Sequence, residues 1–249
     1  MNILIKNSKE ECGKEAAGLG MDLINQAIAR KGVANVIFAT GAAQFEMLQA
    51  LVTLPIDWKR VNGFHLDEYI GLSIDHKASF RKFLKERLVD KVHPGKFYYI
   101  DGEVDPVEEC ERLKQIILKH PVDVAFVGIG ENSHLAFNDP PADFDTEEPY
   151  IQVTLDEACR KQQMGEGWFK GFDEVPKKAI SMSIKQILKS ENIIAVVPEQ
   201  RKAKAVQLTL ESEISPSVPA SAMRRHDHTT LFLDAASASL IRQPHELKK

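Results

Sequence analysis

Short apolar runs recur along the chain, separated by amphipathic stretches, and their lengths sort strands from helices. Ile3 to Ile5, Val36 to Ala39, Val61 to Leu66, Val122 to Phe126, Ile193 to Val197 and Leu231 to Leu233 are mostly apolar and too short for helices. They predict strands buried in a sheet. Phe97 to Ile100, Tyr150 to Thr154 and Ala179 to Met182 are shorter extended candidates. Between these runs the spacing becomes helical. Ala16, Leu19, Leu23, Ala27 and Ile28 fall near a helical repeat in a segment that ends at about Arg30, before Lys31-Gly32. Its start, Ser8-Lys9-Glu10-Glu11, has capping-box spacing. Further helices are expected over Phe45 to Leu54, Ser79 to Val89, Asp105 to His120, the first half of Asp156 to Trp168, Ile184 to Leu188, Arg201 to Leu210 and Ala235 to Leu240. Pro216 and Pro219 mark a loop, and Gln243 to Lys249 read as a frayed tail. Strands alternating with helices, without repeats or linkers, predict one α/β domain over residues 1–249. Its expected form is Rossmann-like: a mainly parallel open sheet with helices on both faces.

The chain of 249 residues is 43% hydrophobic, enough for a well-buried core. A net charge of −4 and no long basic tract argue against nucleic-acid binding. No apolar run approaches the ~20 residues that cross a bilayer, and the N-terminal run is short for a signal peptide. Cys12, Cys110 and Cys159 lie far apart, which fits unbridged thiols in a reducing compartment. A cytoplasmic protein with no membrane contact is the expectation, and a homo-oligomer is left open.

Chemistry-bearing residues gather in three places. Gly128-Ile129-Gly130 follows the fourth buried run and leads into Glu131, Asn132, His134, Asn138 and Asp139. A histidine with a carboxylate five positions later can shuttle protons near neutral pH, though a capped polar surface turn fits the same residues. Thr40-Gly41-Ala42-Ala43-Gln44 separates a strand from a helix and suits either an anion-holding turn or a plain tight βα connection. Asp67-Glu68-Tyr69 at a strand end suits either a helix cap or an acid–base site. Familiar motifs do not account for these stretches. The central loop lacks the third glycine of a dinucleotide fingerprint and lies halfway down the chain, and neither a P-loop nor a GxSxG elbow is present. His65 with Asp67, or His226 with His228, offers two metal ligands without a clear third, so no metal is expected.

Taken together, Thr40-Gly41 before a helix, the DEYIGL stretch from Asp67 to Leu72, and the loop from Gly128 through Phe137-Asn138-Asp139-Pro140 resemble the glucosamine-6-phosphate deaminase family. That family belongs to the 6-phosphogluconolactonase superfamily, and the resemblance covers nearly the whole chain, with Lys202 matching at a helix start. It implies conversion of D-glucosamine 6-phosphate to D-fructose 6-phosphate and ammonia without an organic cofactor. By that resemblance His134 opens the sugar ring, with Asp139 and Asn132 holding the imidazole. Asp67 moves the C2 proton to C1. Lys202 holds the phosphate together with Thr40, Gly41, Ala42 and Ala43, and Glu68 and Arg160 are further substrate-binding candidates. The sequence departs from the family pattern at Asn132, Ser133 and Asp139, where Asp, Gly and Glu are usual, and at Ala42 and Ala43. A phosphate-gripping arginine has no counterpart near Gly165; Arg160 or Gln163 is expected to compensate. A lactonase, a galactosamine-6-phosphate enzyme and a non-catalytic sugar-phosphate sensor are the rival readings.

Overall fold

A computed structural model describes residues 1–242, so the expected tail from Gln243 to Lys249 lies outside the described residues. In chain order the elements are β1 (Asn2–Lys6), α1 (Lys9–Lys31), β2 (Ala34–Phe38), α2 (Phe45–Leu51), β3 (Val61–His65), β4 (Asp67–Tyr69), α3 (Phe80–Leu84), α4 (Asp90–Val92), β5 (Lys96–Tyr98) and α5 (Pro106–Ile117). There follow β6 (Val124–Val127), β7 (Tyr150–Thr154), α6 (Glu157–Gly165), β8 (Lys178–Met182), α7 (Ile184–Leu188), β9 (Asn192–Val196), α8 (Ala203–Glu211) and β10 (Thr229–Asp234).

Seven strands form one sheet in the order β1-β10-β9-β6-β2-β3-β5, and every pairing is parallel. Alternation along β2 shows how both faces are covered. Ile37 joins one apolar cluster with Leu113 and Ile117 of α5, Ile187 of α7 and Val206 of α8. Val36 and Phe38 join the other with Ala17 and Ile24 of α1, Leu48 of α2, and Leu84. The expected α/β architecture, a parallel sheet with helices on both faces, is the one observed. A second, three-stranded antiparallel sheet, β4-β8-β7, was not expected. It pairs Asp67 with Ser181 and Tyr69 with Ala179, which lifts the DEY stretch off the carboxyl end of β3 and fixes its direction.

Several boundaries move for identifiable reasons. Ser8 caps α1 by accepting from the Glu11 amide, but Glu11 reaches the Asn7 amide, one residue earlier than a capping box requires. Gly32, at φ 83°, closes that helix by donating to the Ile28 carbonyl. α2 stops at Leu51 because Thr53 and Leu54 bond back only three residues and Pro55 disfavours helical backbone at Leu54. The segment expected to be one helix from Ser79 to Val89 widens to a π turn at Lys85–Val89 before α4. Ala235 to Leu240 forms turns instead of the expected helix. There Asp234 accepts from the Ser237 amide at 2.7 Å while Ser237 Oγ engages the Asp234 backbone, a local arrangement that competes with helix formation.

Candidate active site

Four adjacent strands, β9, β6, β2 and β3, end at the same edge of the sheet, and the chain leaves β6 and β2 towards opposite sides. The crevice at such a reversal is where open α/β sheets place ligands. Here it is a cleft lined by the turn after β2, Asp67 after β3, Gly128, Ile129, Gly130 and His134 after β6, and Arg201 and Lys202 after β9. Gln162 and Gln163 of α6 and Glu166, its C-cap, also line it.

Gly41 carries the turn after β2 at φ 95°, a conformation that costs glycine little, and Thr40 to Ala43 face the cleft. Beside them Lys202 is buried, with no ion pair or hydrogen bond to its ammonium among the described residues. Burial, with Arg201 as second cause, pulls its pKa down to about 8. Arg201 is the opposite case. Its guanidinium is spread over Glu131 at 3.3 Å, Glu166 at 3.7 Å and Glu199 at 2.7 Å. Lys202 is therefore a positive charge with no carboxylate on it, next to a glycine turn.

Asp67 stands across the cleft, 7% exposed and without a side-chain hydrogen bond among the described residues. Burial, then the neighbouring Glu68, raises its pKa to about 8. Glu68 points the other way. Its carboxylate accepts from the Tyr69, Phe80 and Arg81 amides and from Ser79 Oγ, at 2.7 to 3.2 Å. It is fully buried and outside the cleft lining, and it ties the start of α3 to β4. Arg160 also lies outside the cleft lining. It stacks on Phe172 and donates to the Val175 and Phe172 carbonyls, away from the cleft. The reason is packing: residues 159, 160 and 163 form the buried side of α6, which turns the guanidinium towards the following loop.

His134 lines the cleft with its ring packed on Gly130, where a Cβ would come within 2.2 Å of the imidazole. Its Nδ1 lies 3.1 Å from Asp139 Oδ1, near enough to pair once the ring is protonated but not aligned as a hydrogen bond. Burial alone would raise the pKa of Asp139. His134, the Asp156 amide and Asn132 outweigh it and hold the carboxyl below its ordinary range. Asn132 does not touch the ring as expected. Its Nδ2 bridges Asp139 and Asp156 at 3.0 Å each, and its Oδ1 accepts from the His134 amide. An amide supplies both a donor and an acceptor there, so Asn132 braces the loop backbone. The loop is tight, with Ser133 at φ 69° and Ala136 at φ 53°.

The structure thus brings Asp67, His134, Lys202 and the Thr40 to Ala43 turn to one cleft, sets Asp139 and Asn132 directly behind the histidine, and leaves Glu68 and Arg160 outside. Sequence reasoning missed Arg201, Gln162, Glu166 and the buried Gln44, whose Nε2 donates to the Val196 carbonyl. Gln162 accepts from the Glu131 amide and Gln163 from the Tyr69 hydroxyl, so α6 is fastened to both halves of the site. The available signal was the polar spacing of 162, 163 and 166, which share one side of a helix.

Residues 7–232 match the family described as glucosamine-6-phosphate isomerases/6-phosphogluconolactonase. A glucosamine-6-phosphate deaminase of Bacillus pumilus (strain SAFR-032) is 36% identical over 248 residues, covering 96% of this chain and 100% of the relative. One of Lactobacillus delbrueckii subsp. bulgaricus is 33% identical over 243 residues, covering 97% and 100%. Among solved structures, a monomeric glucosamine-6-phosphate deaminase has a TM-score of 0.87 at 31% identity, covering 96% of this chain and 100% of that one. The 6-phosphogluconolactonase of Trypanosoma brucei shares the fold, with a TM-score of 0.80 at 14% identity, covering 97% and 98%. The chain belongs to the glucosamine-6-phosphate isomerase/6-phosphogluconolactonase family.

Proposed function

We propose that the cleft converts D-glucosamine 6-phosphate and water into D-fructose 6-phosphate and ammonia. The single observation that carries this reading is a buried, unpaired carboxyl, Asp67, sharing one anion-holding cleft with His134. Deaminase relatives above 30% identity over almost the full chain support it.

Each residue acts where its chemistry is needed. Lys202 and the backbone of Gly41 to Ala43 hold the phosphate, which fixes the sugar and makes the later steps effectively unimolecular. His134 takes the proton of the anomeric hydroxyl and returns one to the ring oxygen, opening the ring. The imidazolium formed on the way has Asp139 beside Nδ1 to stabilise it. Asp67 in its ionised form then removes the C2 proton and delivers one to C1, while a proton passes from the amino nitrogen to O1, so that C2 becomes an imine carbon. Water adds at that carbon, and the C–N bond breaks to release ammonia and leave the ketone. A pKa of about 8 gives Asp67 both protonation states near neutral pH, as a group that accepts and returns one proton requires. Lactone hydrolysis has no C2 proton to move and leaves Asp67 without a task.

The test is to incubate the purified chain with glucosamine 6-phosphate, its galactosamine epimer and 6-phosphogluconolactone in parallel, measuring ammonia, keto-sugar phosphate and acid. Ammonia and fructose 6-phosphate in equal amounts from the first substrate are expected. Lactone hydrolysis alone, or inactivity with all three, overturns the proposal.

A further inference from the structure

Behind the imidazole, three donor atoms of different chemistry converge. His134 Nδ1, Asp139 Oδ1 and Cys159 Sγ form a group whose ligating atoms all lie within 4.8 Å of one another. Cys159 comes from the first turn of α6, where its amide is capped by Asp156, so the thiol is carried into place by a helix start. Two of the three, Nδ1 and Oδ1, are 3.1 Å apart. Around a tetrahedral ion with bonds of ~2.0–2.3 Å, neighbouring ligand atoms sit between ~3 and 4 Å apart, so the triad needs only small side-chain shifts to close on one.

The second observation is that Nδ1 is buried and has no hydrogen-bond partner among the described residues, although His134 is 92% removed from solvent and the atom faces this group. An unsatisfied buried nitrogen costs stability, and a cation would use its lone pair. Asp139 also lines a separate groove with Asp143 and Asp156, so the surface beside this member of the triad is acidic.

We infer that His134, Asp139 and Cys159 form a binding site for a borderline-soft divalent cation, with Zn²⁺ the best match to a nitrogen, oxygen and thiolate set. On binding, the Cys159 S–H bond breaks, a metal–sulfur bond forms and the thiol proton passes to buffer. His134 binds through Nδ1 as neutral imidazole, and water completes the tetrahedron. The ion is an inhibitor and plays no part in the chemistry. A metallated Nδ1 fixes the ring and makes imidazolium formation unfavourable, so ring opening stops. That consequence rests on the role proposed for His134 above; the site itself does not.

The experiment titrates the full chain with Co²⁺ as a spectroscopic substitute for Zn²⁺. A thiolate-to-cobalt charge-transfer band that saturates at one ion per chain is expected, and Cys159→Ala abolishes it. Cys12 and Cys110 remain in that variant, so a surviving band assigns the metal to them and overturns the site, as does no band in the unaltered protein. Should Cys159→Ala fail to fold, Cys159→Ser keeps the volume and gives no thiolate band. Zn²⁺ is then added to the ammonia-release assay, each protein being compared with its own zinc-free rate. Half-inhibition of Cys159→Ala at a concentration at least ~10-fold higher is expected, since loss of even an outer partner costs a metal site ~10–100-fold. A band with undiminished turnover overturns the inhibition, and a band in a protein without deaminase activity keeps the site while refuting the function proposed above.

Discussion

Asp67→Asn is expected to make the protein more stable while making it inactive, and the gain depends on pH in a direction the burial of Asp67 dictates. The folded-state pKa of about 8 lies well above the ordinary 3.8. The folded chain therefore holds a proton that the unfolded chain gives up, and each further rise in pH favours unfolding. This carboxyl's contribution is fully retained below its unfolded pKa, near pH 4, and is lost progressively up to about pH 8. Asparagine has the same shape and does not titrate, so the variant escapes the loss. At ~1.36 kcal/mol per unit the difference at pH 7 is about 4 kcal/mol. For a chain of this size that is a rise in Tm of about 10 °C. Thermal melts of both proteins at intervals from pH 4 to pH 9 test it. The two Tm curves should meet near pH 4, diverge up to about pH 8, and run parallel above it. Curves parallel throughout, or a variant less stable at pH 8, would show that Asp67 is not held in a protonating environment.

Three other substitutions separate roles. Lys202→Ala should weaken binding of the phosphorylated sugar by about 10- to 100-fold, the value of a hydrogen bond to a charged group, measured by calorimetry with inorganic phosphate as a parallel ligand. Unchanged affinity would place the phosphate elsewhere. Glu68→Gln turns one acceptor atom towards the Ser79, Phe80, Tyr69 and Arg81 donors into a donor, and should lower stability by about 2 kcal/mol in urea unfolding at unchanged m-value. Ser133→Gly should raise stability by about 1 kcal/mol, because Ser133 sits at φ 69° with a buried hydroxyl that has no partner. A destabilised Ser133→Gly protein would mean that the hydroxyl has a function.

The parallel sheet was legible because its strands are short, mostly apolar runs, and Val36 to Phe38 are buried on both faces. The antiparallel addition was not, since DEY offers three residues with two charges and becomes a strand only through its pairing with Ala179 to Ser181. At the site, Asp67, His134 and Lys202 could be named from motifs that follow strand ends, where the fold itself aims side chains at the crevice. Glu68 and Arg160 could not be sorted from them, because both are ionisable and sit beside true cleft residues. What removes them is a cap on α3 in one case and a cation–π stack on Phe172 in the other, and both contacts are long-range. The same limit hid Cys159. Its approach to His134 depends on how the start of α6 docks behind the central loop, which no local pattern encodes.

The claim at the centre is that the Asp67 carboxylate moves a proton on a sugar held by Lys202 in this cleft. Ammonia release from glucosamine 6-phosphate by Asp67→Asn, measured beside calorimetric affinity for the same sugar phosphate, tests it most directly. Affinity within about threefold of the unaltered protein is expected, with turnover reduced by ~10²–10⁴-fold, the range that a general base supplies. Turnover within a fewfold of the unaltered protein, at unchanged affinity, would contradict it.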